Sequence, residues 1–241
     1  MMAPTQTAPV TPQGTARNTG SASSTPSAVS ADSSALLPDS STPVTTPARD
    51  LETVRALIKD GAPGTYFESM LVDQDQLIMR WPERRLEPLR VWIERHPTLP
   101  GWDVRHAVAA EAAFDEWQRA GFPLRFDIVR DSAGAEIHIR WIAAFPADAR
   151  EKLGMARKTR DQHGWIRAAE ITVAMTDRIG EPLPDGTISG TVRHEIGHAL
   201  GLGHSPNPGD VMFPESRTTV ISAADRATLH LLYILPPGSM K

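Results

Sequence analysis

The chain has 241 residues, no cysteine and a formal net charge of −4 at pH 7. Disulfides and thiolate metal sites are thereby excluded, and the charge balance argues against a nucleic-acid footprint or a polybasic membrane patch. No apolar run approaches the ~18 residues needed to span a bilayer, so no transmembrane segment is expected.

Residues 1–48 are built mainly from Ser, Thr, Pro and Ala, with no aromatic residue and only Arg17, Asp32 and Asp39 charged. Such a stretch cannot bury enough apolar surface to offset its ordering entropy, so it reads as a disordered tail or linker. A stalk or a pro-segment is the alternative that the composition allows. The opening M-M-A-P-T-Q-T-A-P-V lacks the basic and apolar regions of a secretory leader.

Ordered sequence is expected from Arg49. Asp50 can cap a helix over Leu51–Lys59, ended by Gly61. Residues 62–83 are ambiguous: Leu77, Ile78 and Met79 can pair as a strand, or the stretch can be a pro-region over a cleft. Residues 49–84 are therefore set apart as a short N-terminal segment. Leu89–Ile93 reads as a strand closed off by Pro97 and Pro100. A long helix over Asp103–Ala120 takes its periodicity from Val104, Val108, Ala112 and Trp117, and Gly121 and Pro123 end it. His96 and His106 are expected beside a loop and on the helix surface. Leu124–Val129 and Glu136–Trp141 alternate as strands, with His138 pointing away from the core. Gly154–Lys158 and Ile166–Met175 give two more, joined through Gln162–Gly164. A further helix starts near Thr187 or Ser189. Ser222 and Asp225 mark the start of a last helix through Ile234, stopped by Pro236 and Pro237. This order predicts an α+β fold, a twisted mixed sheet with helices packed against it, over residues 85–236. About 150 residues is ample for one such core.

The most informative stretch is H-E-I-G-H-A-L-G-L-G-H at 194–204, followed by Met212. Histidines four apart on a helix share a face, so His194 and His198 can hold one metal ion together. Glu195, beside the first ligand, can reach a water on that metal. Gly201 lets the chain leave the helix through a backbone conformation that a Cβ disfavours, and His204 can then return as third ligand. Three protein ligands leave a fourth tetrahedral position open, the layout of a catalytic zinc site.

H-E-x-x-H-x-x-G-x-x-H followed by a methionine turn resembles the metzincin metalloproteases. The finer resemblance is to matrixins: Ser205 follows His204, and D-V-M-F-P around Met212 is similar to their A-L-M-Y-P. V-A-A-E-A-A-F-D-E-W, L-R-F-D-I, A-E-I-H-I-R-W and S-A-A-D-R-A-T-L-H-L-L-Y resemble the flanking elements of that family. The resemblance implies a zinc endopeptidase with one catalytic Zn2+ on His194, His198 and His204, and Glu195 as general base. It implies that Met212 forms a floor under the ligands and that Asp225 supports the methionine turn. It also implies a monomeric, exported enzyme whose peptide substrate lies extended along Gly154, Met155 and Ala156. Pro214, Glu215 and Ser216 would wall its specificity pocket.

The sequence departs from that pattern in several places. Phe213 replaces a common tyrosine, Ser216 stands where an aromatic often stands, and Ala224 replaces an aspartate beside Asp225. No cysteine is present to block the zinc, so latency would need another ligand, such as an aspartate from residues 50–75. Of the partners for a second zinc only Asp161 and His163 are found, and a solvated loop is the better reading. Calcium is not readable, although Asp177 and Asp185 lie in suitable loops. The rival to a peptidase is a catalytically silent zinc-binding or structural domain, and Glu195, which zinc binding alone does not need, argues against it.

Overall fold

The computed structural model describes residues 50–84, 87–215 and 218–241. The tail reading of residues 1–48 and the expectation for Ser216 lie outside the described residues.

Helix α1 spans Leu51–Gly61, and Asp50 caps it by accepting the Glu52 N–H at 3.0 Å. A second helix, α2 over Phe67–Asp73, stands where the sequence was ambiguous. It buries Phe67, Met70 and Leu71. Strand β1, Leu77–Ile78, pairs antiparallel with β7, Gly238–Ser239, near the chain's far end.

The main sheet holds β2 (Leu89–Ile93), β3 (Phe126–Val129), β4 (Ile137–Ile142), β5 (Gly154–Arg160) and β6 (Ile166–Ala174). Their order is β3-β2-β4-β6-β5. The first four run parallel and β5 runs antiparallel to β6. β5 is thus an edge strand with one side hydrogen-bonded within the sheet. Helices α3 (Val104–Gln118), α4 (Asp185–Ala199) and α5 (Ala223–Ile234) complete an α+β fold with a mixed sheet. No helix among the described residues is long and apolar enough to cross a membrane.

The position of α3 is as expected, but of the four residues read as its periodic face only Trp117 turns inward. Ala107, Ala110, Ala113, Phe114 and Trp117 are buried, whereas Val104 and Val108 are 51% and 54% exposed. Small alanines let α3 approach α4 closely, and that packing outweighs the exposure of two valines. Trp117 donates its indole N–H to the Arg193 carbonyl at 3.0 Å, and Arg193 forms a bidentate pair with Glu116, both bonds at 2.7 Å. His106 is buried rather than on the surface. Its Nδ1 accepts the Asp103 N–H at 3.0 Å, completing a capping box at the start of α3. Helix α4 begins at Asp185, two residues before the expected Thr187. Pro184 precedes it without a side-chain cap, so the usual start signal is missing from the sequence.

Residues 50–84 share the core with the rest of the fold. Phe67, Met70, Ile78 and Trp81 are fully buried. Trp81 donates to the Ala199 carbonyl at 2.8 Å, at the end of α4. Arg80 donates to the Leu235 carbonyl at 2.8 Å, with its guanidinium over Trp165 and Tyr233. The cation therefore lies between π faces and is hydrogen-bonded, as burial of a charge requires.

Candidate metal centre

Helix α4 buries Ile188, Val192, Ile196 and Ala199 against the core, which fixes its rotation. That rotation carries His194 and His198 to one side, a turn apart. The helix then ends in a Schellman motif: the Gly201 N–H bonds the His198 carbonyl and the Leu202 N–H bonds the Gly197 carbonyl, each at 3.0 Å. Gly201 has φ of 110°, and an added Cβ would collide with the Met79 carbonyl oxygen. Glycine is demanded twice, by conformation and by space. The turn brings His204 back beside the other two imidazoles.

The three rings converge. His194 and His198 lie 4.6 Å apart between centroids, His198 and His204 4.8 Å, and His194 and His204 5.5 Å. One ligand atom from each falls within 4.8 Å of the others. His194 Nδ1 lies 2.7 Å from the Val211 carbonyl and His198 Nδ1 2.9 Å from the Leu202 carbonyl. A carbonyl only accepts, so each Nδ1 carries the proton and each Nε2 is left with its lone pair free. Burial holds the pKa of all three below the ordinary histidine value, His198 furthest, and the neighbouring imidazoles and Lys158 push His198 the same way. Three clustered imidazoles, two of them with Nε2 left free by their carbonyl partners, suit a divalent cation such as zinc.

Glu195 sits beside this cluster. It is 5% exposed, and its Oε2 is buried without a hydrogen-bond partner. Burial pushes its pKa up to about 8, while Lys158, the Ala156 N–H and Lys152 work against that shift. An unpartnered buried carboxylate oxygen is costly unless something arrives to use it. A water on the metal would meet that need.

Met212 lies fully buried under α4, where a Cβ on Gly197 would strike its sulfur. Its carbonyl accepts the Ser205 N–H at 2.9 Å, tying the methionine turn to the residue after His204. Asp225 is fully buried and accepts four bonds: from the backbone N–H of Val211 at 3.0 Å, Met212 at 3.4 Å and Ser222 at 2.8 Å, and from the Tyr66 hydroxyl at 3.1 Å. One carboxylate thus joins the turn that holds Met212, the start of α5 and the segment before α2.

The expected substrate residues fall into two places. Gly154, Met155 and Ala156 open β5 beside Glu195, and a Cβ on Gly154 would stand 2.6 Å from Glu195 Cγ and from Thr191 Cγ2. Pro214 is exposed, on an open pocket of about 580 Å³ that also takes in His204, Ser69 and Asp73. Asp73 acts electrostatically on His204, yet the ligand cluster among the described residues consists of the three histidines alone. Asp177 caps its own turn, accepting the Ile179 and Glu181 N–H groups at 2.9 Å. Asp185, expected in a loop, is instead the first residue of α4 and pairs with Arg105 and His106. Asp161 closes the turn between β5 and β6 and pairs with Arg167 at 2.6 Å. Sequence reasoning missed Tyr66, Lys158 and Ser69, whereas Asp73 lies in the stretch 50–75 where an aspartate near the ligands was expected. None lies in a motif, and only the fold brings them to the site.

Comparison with known proteins agrees with this geometry. A family model described as Matrixin matches residues 184–234, which hold α4, the three histidines, the methionine turn and α5. The chain is 31% identical over 111 residues to Metalloendoproteinase 1-MMP of Arabidopsis thaliana, a stretch covering 44% of this chain and 30% of that protein. The chain therefore spans about a third of the length of the relative it matches. With three imidazoles gathered at the end of α4 and the Met212 turn bonded to Asp225, the described fold is a matrixin-like metzincin domain.

Proposed function

We propose that this protein is a zinc-dependent endopeptidase, with His194, His198 and His204 holding the ion and Glu195 as general base. The observation that carries the reading is Glu195 Oε2: buried, unpartnered and next to three imidazoles that can hold a metal ion. A silent metal site has no use for such a group. When bound, zinc supplies Lewis-acid polarisation of a carbonyl and acidifies water. Glu195 accepts the proton of the attacking water and delivers it to the departing amine. Its raised pKa, about 8 without metal, suits a group that must both take and return a proton near neutrality. The edge of β5 aligns the peptide as an added strand, and Gly154 lets that strand lie close against Glu195 and Thr191 of α4. Met212 and Asp225 hold the ligands' floor without taking part in proton transfer.

The test is cleavage of casein by the purified chain, with and without a zinc chelator, alongside two variants. Glu195→Ala is expected to keep stoichiometric zinc and lose at least about a hundredfold in rate, the scale of general-base catalysis. His198→Ala is expected to lose both zinc and cleavage. A full rate in Glu195→Ala would overturn the mechanism. Bound zinc with no cleavage of any substrate would favour the silent-domain alternative.

A further inference from the structure

Within a chain of net charge −4, residues 150–160 read R-E-K-L-G-M-A-R-K-T-R, five basic residues against one acidic. Strand β5 lies in this run, at the edge of the sheet and beside the metal centre. Its alternate positions face α4. Gly154 closes on Glu195 and Thr191, the Ala156 N–H bonds Glu195, and Lys158 comes next in register.

The neighbouring basic residues of β5 are placed differently. Arg157 points to the opposite face, in register with Glu170, and Arg160 bonds the Asp161 carbonyl at 3.2 Å. Lys158 makes no side-chain hydrogen bond or salt bridge among the described residues. It is half-buried and interacts electrostatically with Glu195, His198 and His204. Lys152, in the turn before β5, also acts electrostatically on Glu195. Burial pulls the Lys158 pKa down to about 8, and the Glu195 carboxylate opposes that shift. A cation half-withdrawn from water without a bonded partner is a cost that an incoming anion would relieve. Gly154 and Ala156 place only small groups on this face before Lys158, so its ammonium sets the charge of this wall of the cleft.

A peptide added to β5 would run about 4.8 Å from it, with alternate side chains on the same face as Lys158. We propose that Lys158 makes the cleft select peptides carrying an acidic side chain close to the scissile bond. The proposal rests on the peptidase reading and deepens it. Glu195 still handles the proton, and Lys158 determines which substrate presents its bond there.

The experiment uses the full chain loaded with zinc and pairs of fluorogenic octapeptides that differ by Glu against Gln at one position at a time. At one or more positions near the cut, Glu is expected to raise kcat/KM about tenfold, the value of a hydrogen bond to a charged group. Lys158→Met should reduce that preference below about twofold, Lys158→Arg should keep it, and Lys158→Glu should turn it toward Lys peptides. Binding of the same peptides to Glu195→Ala, read by fluorescence anisotropy, should show the same ranking. Equal handling of Glu and Gln at every position, or a preference that survives Lys158→Met, overturns the proposal and leaves the peptidase standing. Lys158-dependent binding of acidic peptides without any cleavage overturns the peptidase and leaves the selectivity standing.

Discussion

Asp225 shows how much one residue can carry. It satisfies four donors from three parts of the chain, two of them in the turn that holds Met212. Removing it would leave those donors buried and unpaired, a cost of roughly 3–5 kcal/mol on the scale of broken buried networks. Asp225→Ala is therefore expected to lower the melting temperature markedly and weaken zinc retention, although Asp225 lies outside the ligand cluster. Tyr66→Phe, which removes one donor of the four, should cost about 1 kcal/mol and leave zinc in place. Thermal melts and zinc content of the two variants check both. Acid provides a separate test of the imidazoles. Protons compete with zinc for them, and a lowered pKa moves that competition to lower pH. Burial holds all three histidines below the ordinary value of 6.5, so zinc should stay bound on acidification until pH is under 6.5. Half-loss of zinc above that value, measured after dialysis over a pH series, would contradict the neutral, preorganised cluster.

At the scale of elements, the sequence is legible where periodicity or capping is strong. Asp50, Ser222 and the alternating Ile137 and Ile139 mark their helices and strand correctly. The three ligands can be read because helical spacing and one glycine turn fix their geometry locally. What is not legible depends on tertiary contact. Helix α2 has seven residues and no side-chain cap, so little in F-E-S-M-L-V-D announces it. Strands β1 and β7 have two residues each, too short for any period, and exist only because they meet. The buried face of α3 departs from its valine periodicity because alanines, not valines, turn inward to admit α4. In the sequence Lys158 marks only the end of a strand, since nothing local shows that its face looks onto Glu195 and the histidines. β5 itself carries a prediction. Gly154→Ala would press a methyl into Glu195 and Thr191, at about 1–3 kcal/mol if the strand must shift. Cleavage is expected to fall at least tenfold while zinc content is unchanged; a normal rate in Gly154→Ala would show that β5 and α4 have room to spare.

Across the whole molecule, we propose that residues 50–84 belong to the folded unit rather than to a removable pro-region. Trp81 reaches the end of α4, Gln74 bonds the Gly201 carbonyl at 3.0 Å, and Tyr66 reaches Asp225. Deleting residues 50–84 should expose α5 and the methionine turn and yield an insoluble or unfolded product; a soluble, cleaving product would support the pro-region reading. The pairing of β1 with β7 has a further consequence. It brings the last residues of the chain against the first elements of the fold: the Met240 N–H bonds the Gln76 carbonyl at 2.8 Å, Arg55 bonds the Met240 carbonyl at 3.4 Å, and Lys241 pairs with Asp75. The ends of the described fold are thus neighbours. A short linker could close residue 241 onto residue 50, and the ring so formed could be opened at an exposed turn such as that around Gly180. The same adjacency suits the domain to being carried as an insert within a loop of a host protein, entering and leaving through one narrow seam.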